Sequence, residues 1–210
     1  MSDTPEPRGP ANPVRPRRAE HFEESYKSTP PWDIGRPQPA FLALAAEGAI
    51  RGRVLDVGCG TGEHVLMAAQ LGLEATGVDS AAAAIGQAEA KARERGLPAR
   101  FLLRDVLQLA ALGEQFDTVI DSGLFHVLED DDRQAFIDQL KAVIPPGGRY
   151  LMMCFSDRQP GDYGPRRVSQ AEIQAGFGEA WRIDSIEPSK FEIRIGTGEA
   201  LAWLARITRI

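Results

Sequence analysis

The sequence predicts an α/β fold, a doubly wound and mostly parallel sheet with helices on both faces, and three observations predict it. Short apolar segments alternate with helical ones along most of the chain. A glycine-rich turn joins the first apolar segment directly to a helix. The last two strand candidates follow one another with no strong helix between them, so they are expected to pair antiparallel.

Residues 1–20 are rich in Pro and Arg and have little apolar surface to bury, which predicts a disordered arm or leader. Order is expected from about His21, with a single domain over 21–210 whose first part, about 21–40, is a lid. Four prolines in 29–39 bar a regular helix or strand and hold Trp32 on a stiffened loop. A short helix, Ala40 to Glu47, precedes a strand at Arg53–Val57 and a helix at Glu63–Leu71. A second strand at Glu74–Asp79 leads through Ser80, read as an N-cap, into a helix that ends at Arg95 before Gly96 and Pro98. Strands at Arg100–Arg104 and Phe116–Asp121 follow. A helix begins at Asp130 or Asp131 and runs to Ile144, where Pro145-Pro-Gly-Gly148 stops it. A fifth strand spans Arg149–Phe155, and the finish is Trp181–Glu187 and Ala200–Ile207.

Composition narrows the function classes. With 210 residues, 43% hydrophobic and 26% charged, the chain can build one core without disulfides or metal. The formal net charge of −6 offers no basic face for a nucleic acid. Cys59 and Cys154 are too few for a disulfide framework or a zinc site. That suits a reducing, cytoplasmic setting. No apolar run approaches the ~20 residues of a membrane span, so no membrane partner is expected; the oligomeric state is left as monomer or homodimer.

Asp56-Val-Gly-Cys-Gly-Thr-Gly62 carries most of the functional information. Gly58, Gly60 and Gly62, with the small residues Cys59 and Thr61 between them, let the backbone turn sharply and lie against a ligand. The spacing is G-x-G-x-G rather than the G-x-G-x-x-G of dinucleotide sites. Asp56 would repel a pyrophosphate and attract an ammonium or sulfonium. Asp79, ending the second strand, can accept hydrogen bonds from ribose hydroxyls, with Ser80 beside it. Asp105 and Val106, after the third strand, sit where an adenine amino group and ring edge would lie. Ligands in doubly wound sheets bind at such strand ends.

Taken with Asp79, Asp105 and Asp121, this glycine motif resembles the class I S-adenosylmethionine-dependent methyltransferases from about Phe41 to the C-terminus. The resemblance implies a Rossmann-like seven-stranded sheet with an antiparallel last strand. It also implies S-adenosylmethionine as donor, S-adenosylhomocysteine as product, and contacts from Asp121 and Ser122. The Pro31–Gln38 segment is similar to the N-terminal signature of the thiopurine methyltransferase and tellurite-resistance-like branch, including small actinobacterial relatives. There, the resemblance implies, the tryptophan segment (here Trp32, with Tyr26) closes over cofactor and substrate. Small thiols, heterocycles, phenols or oxyanions are that branch's usual acceptors. Asp121-Ser-Gly-Leu-Phe-His126 departs from the thiopurine enzymes' fourth-strand sequence, so their substrate does not carry over.

Transfer from a sulfonium is an in-line displacement that positioning and exclusion of water accelerate. A thiolate needs no base, whereas a phenol or amine benefits from one with a pKa near neutrality. His126 is the candidate base; its other readings are a packing residue at a helix start or a cofactor contact. Phe125, Phe155, Asp157 and Arg158 are candidates to line an acceptor site, the two charges being equally at home on a solvated loop. Two rivals remain. Asp56 and the glycine spacing oppose an NAD(P)-dependent oxidoreductase, and a candidate acceptor site opposes a non-catalytic S-adenosylmethionine-binding regulatory module.

Overall fold

A computed structural model describes residues 14–161 and 163–210, with side chains described from Glu20 onward. The arm expected over residues 1–13 lies outside the described residues. Residues 14–20, expected in that arm, belong to helix α1 (Val14–Ser25), which docks where Glu23 accepts the Ala83 N–H at 3.1 Å.

Seven strands form one sheet: β1 (Val54–Val57), β2 (Ala75–Asp79), β3 (Ala99–Leu103), β4 (Thr118–Ser122), β5 (Arg149–Phe155), β6 (Trp181–Glu192) and β7 (Glu199–Arg209). Their order is β3-β2-β1-β4-β5-β7-β6, parallel from β3 to β5, with β7 antiparallel to both its neighbours. The strand order reverses between β1 and β4, whose ends meet with Val57 beside Asp121. That reversal opens a crevice at their carboxyl ends.

Side-chain alternation divides the core into two layers. Leu55, Val57, Val119, Tyr150, Met152 and Cys154 pack toward α5 (Asp130–Val143) and α6 (Gln170–Gly176). Val54, Ile120, Leu151 and Met153 pack toward α2 (Pro39–Ala46), α3 (Glu63–Gln70) and α4 (Ala82–Arg95). The same alternation puts Asp56 on the α3 side and Asp121 on the α5 side.

Three local differences have physical causes. The residue preceding α4 is Ala81, and the Ser80 side chain caps nothing there; Asp79 takes the Ala81 N–H at 2.9 Å instead. Helix α6 was not foreseen, although Ser169 and Glu172 form a complete capping box at its start. β6 continues past Pro188, because it is an edge strand and a proline nitrogen can face away from the sheet. No helix among the described residues is long and apolar enough to cross a membrane.

Candidate functional site

A cavity of about 350 Å³ lies over the β1/β4 crevice. Its donor half is made by the ends of β1, β2 and β3: Gly58 to Gly62, Asp79 with Ser80, and Arg104 to Val106. Gly60 shows why the loop must be glycine. Its φ is +51°, and a Cβ there would come within 2.6 Å of the Tyr26 hydroxyl. Gly62, at φ +85°, caps α3 and would drive a Cβ to 2.7 Å from Phe101.

Asp79 fixes this loop. One carboxylate oxygen accepts the Gly60 N–H at 2.8 Å and the other the Ala81 N–H. Each oxygen keeps a lone pair for a ligand hydroxyl. Burial holds the Asp79 pKa above the usual carboxylate range. Asp105 accepts the Leu107 N–H at 2.9 Å, starting the short 3-10 turn over 106–112, while still facing the cavity. Cys59 is buried, its thiol pKa pushed up by burial, and its Sγ fills the space where a Gly77 Cβ would stand. It packs; it is no nucleophile.

Asp56 sits beneath the loop and does not form the cavity wall. It is 1% exposed, and neither carboxylate oxygen has a hydrogen-bond partner. Burial raises its pKa well above normal, and Asp121 and Asp79 add to the rise. The nearest basic group is His64 Nδ1, 3.8 Å away. That contact is no ion pair, because burial drops the His64 pKa to about 4 and Nε2 accepts the Gln38 N–H at 3.1 Å.

The segment expected to act as a lid reaches both halves. Trp32 Nε1 donates to the Tyr26 hydroxyl at 3.0 Å, and Phe22 packs edge-on against the indole. Thr61 donates to Asp33 at 2.9 Å and accepts from Lys91, which also pairs with Glu63. Toward the C-terminus, the Gln38 amide makes two hydrogen bonds to the Glu192 backbone, at 2.9 and 3.0 Å, and the Arg194 N–H donates to the Pro31 carbonyl.

The acceptor half contains Ser122, His126 and Phe155, with Phe191, Ile193 and Tyr163. His126 is almost fully buried, its ring edge-on to Phe155 and Phe191 at centroid distances of 4.9 and 5.8 Å. Its Nδ1 accepts the Phe155 N–H at 2.9 Å. Burial, then Arg133 and Arg167, lower its pKa to about 3. A histidine already accepting through Nδ1 keeps its proton on Nε2, so the general-base role expected of it does not fit this geometry.

Four other expected residues do not reach the cavity. Asp121 turns to the α5 side, where it accepts from the Leu124 and Phe125 N–H groups and from the Tyr150 hydroxyl at 2.6 Å, its pKa raised to about 6 chiefly by burial. Phe125 stacks on Phe177 within the core. Asp157 accepts the Trp203 indole N–H at 3.1 Å, and Arg158 lies over the same ring at 4.6 Å. Tyr26, Trp32, Phe155, Ser80, Ser122, Val106 and Asp105 all face the cavity.

The sequence reading missed Asp33, Gln38, Lys91 and Phe191. A signal existed for the last of these: Phe191, Ile193 and Ile195 alternate with Glu192 and Arg194, placing three apolar side chains on one face.

Comparison with known proteins agrees with this geometry. A family model described as a methyltransferase domain matches residues 54–148. The chain is 34% identical, over 80% of its length and 79% of the relative's, to a 2-heptyl-1-hydroxyquinolin-4(1H)-one methyltransferase of Mycobacteroides abscessus. It is 28% identical to a probable thiol methyltransferase 2 of Arabidopsis thaliana, over 88% of this chain and 83% of that one. Among solved structures, one from work on the conversion of a disulfide bond into a thioacetal group during echinomycin biosynthesis superposes with a TM-score of 0.84. It is 38% identical, covering 91% of this chain and 93% of that one. Glycine turn, strand-end acids, sheet order and relatives converge: the chain belongs to the class I S-adenosylmethionine-dependent methyltransferases and is an enzyme that takes its methyl group from that cofactor.

Proposed function

We propose that this enzyme methylates a small, largely apolar acceptor bearing an oxygen, sulfur or heterocyclic nucleophile. The carrying observation is the acceptor half of the cavity, where Phe155, Phe191, Ile193, Leu128 and Pro165 surround one buried imidazole. Such a wall suits a flat or alkyl-bearing molecule and is too confined for a folded protein or a nucleic acid. Relatives described as hydroxyquinolinone and thiol methyltransferases support the same class.

The donor half fits S-adenosylmethionine by an observation independent of the relatives. Asp56 is a buried carboxylate with no partner, beside two further acids at neighbouring strand ends. A nearby cation would offset the cost of ionising such a buried carboxyl, so the site favours a cationic ligand. Asp79 would hold the ribose hydroxyls, Asp105 and Val106 would hold the adenine, and the main chain of 58–62 would lie against the amino-acid portion. The bound cofactor supplies a methyl group on a sulfonium, open to in-line attack. The protein's own contribution is position and dryness: Tyr26 and Trp32 close the donor side, and the aromatic wall excludes water from the acceptor.

Mass-spectrometric screening of thiols, phenols and heterocyclic amines, with the purified protein and S-adenosylmethionine, is the direct test. Products gaining one methyl group are expected from apolar members of the panel. Activity confined to peptides or nucleic acids would sink the proposal.

A further inference from the structure

Resting on that reading, we propose that His126 is a fixed hydrogen-bond donor to the acceptor, and that the enzyme therefore selects molecules that bind as anions, phenolates or thiolates, rather than deprotonating them. The direction of the hydrogen bond decides this. The Phe155 backbone N–H donates to Nδ1 at 2.9 Å, so the imidazole proton is on Nε2. That Nε2 has no hydrogen-bond partner among the described residues, although the ring is only 6% exposed and faces the cavity. It lies beside Gly123, where an added Cβ would stand 3.5 Å from it, just beyond β4. A ring N–H that faces the cavity and meets no protein acceptor is free for an acceptor atom of a ligand.

The charges around the ring agree. Arg133 donates to the carbonyl of Phe125, the residue before His126, at 3.1 Å, and Arg167 lies over the Phe155 ring at 5.5 Å. Both guanidiniums oppose a second positive charge on the imidazole and favour a negative one on its partner. Asp132 also borders the cavity, and Arg133 is partly balanced by Asp130 and Glu172 at 3.8 and 3.6 Å.

In the reaction, the acceptor's lone pair forms the new bond to the methyl carbon as the sulfonium C–S bond breaks, its electron pair remaining on sulfur. An acceptor that arrives ionised releases no proton in this step, so no base is required. The Nε2–H steadies the anion on binding and fixes which lone pair faces the methyl group. The acidity of the acceptor, together with this donor, then sets specificity.

The test uses the protein saturated with S-adenosylhomocysteine, with 4-nitrophenol as an ionisable probe and 4-nitroanisole as its neutral counterpart. Phenolate absorbance reports ionisation of the bound probe directly, without turnover. Two variants separate the ring's two nitrogens: His126→Asn keeps an acceptor for the Phe155 N–H but has nothing at the Nε2 position, and His126→Gln restores a donor there. The wild type is expected to bind phenolate about 10- to 100-fold more tightly than neutral phenol, the range of a charge-assisted hydrogen bond. His126→Asn should lose that preference while binding 4-nitroanisole as before, and His126→Gln should recover part of it. Equal binding of both probe forms by the wild type, or an unchanged preference in His126→Asn, overturns the inference alone. Absence of any affinity for S-adenosylhomocysteine overturns the underlying functional reading as well.

Discussion

The donor half of the cavity stands on three adjacent parallel strands, whereas the acceptor half is collected from segments scattered along the chain. Asp79 ends β2 and Asp105 follows β3 within one compact stretch, and Asp79 alone braces the glycine loop and the start of α4 by accepting from Gly60 and Ala81. His126 owes its orientation to Phe155, 29 residues away, and the wall beside it comes from a hairpin near residue 191. Geometry set by local backbone is hard to vary without losing the cofactor. Geometry set by distant side chains can drift and admit a new acceptor, which is how one fold serves many substrates.

Four experiments sharpen or break this contrast. The largest effect is expected at Asp79: Asp79→Ala removes the brace of the glycine loop together with the proposed ribose contact, and should weaken S-adenosylhomocysteine on the order of 100-fold by calorimetry. A change within about threefold would contradict a rigid donor half. Next, Gly60→Ala meets both the left-handed φ and the Tyr26 hydroxyl; each costs on the order of 1 kcal/mol, so about a 30-fold loss of cofactor affinity is expected. Adding Tyr26→Phe removes the 2.6 Å clash and leaves the nearest ring atom at 3.4 Å, so part of the loss should return. No recovery would place the strain elsewhere.

A smaller effect is expected where the halves meet. Asp33→Ala cuts the lid's bond to Thr61 and should raise KM for cofactor by about 3- to 10-fold, the range of one net hydrogen bond. Combining it with Thr61→Ala should cost less than the sum of the two single changes, because both remove the same contact; full additivity in the double-mutant cycle would show that the lid is not held there. The smallest signal is a proton count. The Asp56 pKa is raised by burial, and the ligand's ammonium group lowers it again, so binding S-adenosylhomocysteine should release a fraction of a proton. Calorimetry in buffers of differing ionisation enthalpy measures that release, and Asp56→Asn should abolish it. Identical proton counts in the two proteins would remove Asp56 from cofactor recognition.

The same contrast explains what could be read in the sequence. Strands β1 to β5 were legible because each is a short apolar run bounded by glycine, proline or acid, and a buried parallel sheet leaves such runs little latitude. The donor residues were legible for the same reason, with Asp121 the instructive miss: its place at a strand end was right, but pleat parity turns it toward Tyr150 and away from the ligand. Asp157 and Arg158 also lie at the right level of the sheet, yet both are engaged by Trp203, a residue of the last strand that no local pattern connects to them. His126 lines the cavity as expected, but which of its nitrogens is free is not legible in the sequence, since a single backbone N–H from β5 occupies Nδ1.

Gln38 binds the backbone of Glu192, and Pro31 that of Arg194, across more than 150 residues. A ribosome delivers the N-terminal partner of each pair first and the C-terminal partner almost last. Until the final hairpin has emerged and folded, the lid is held only on its donor side, at Thr61 and His64, so a nascent or C-terminally clipped chain would hold its glycine loop with the roof half fastened. Closing contacts of such long sequence separation is slow, and competence for catalysis should appear only in the last stage of folding.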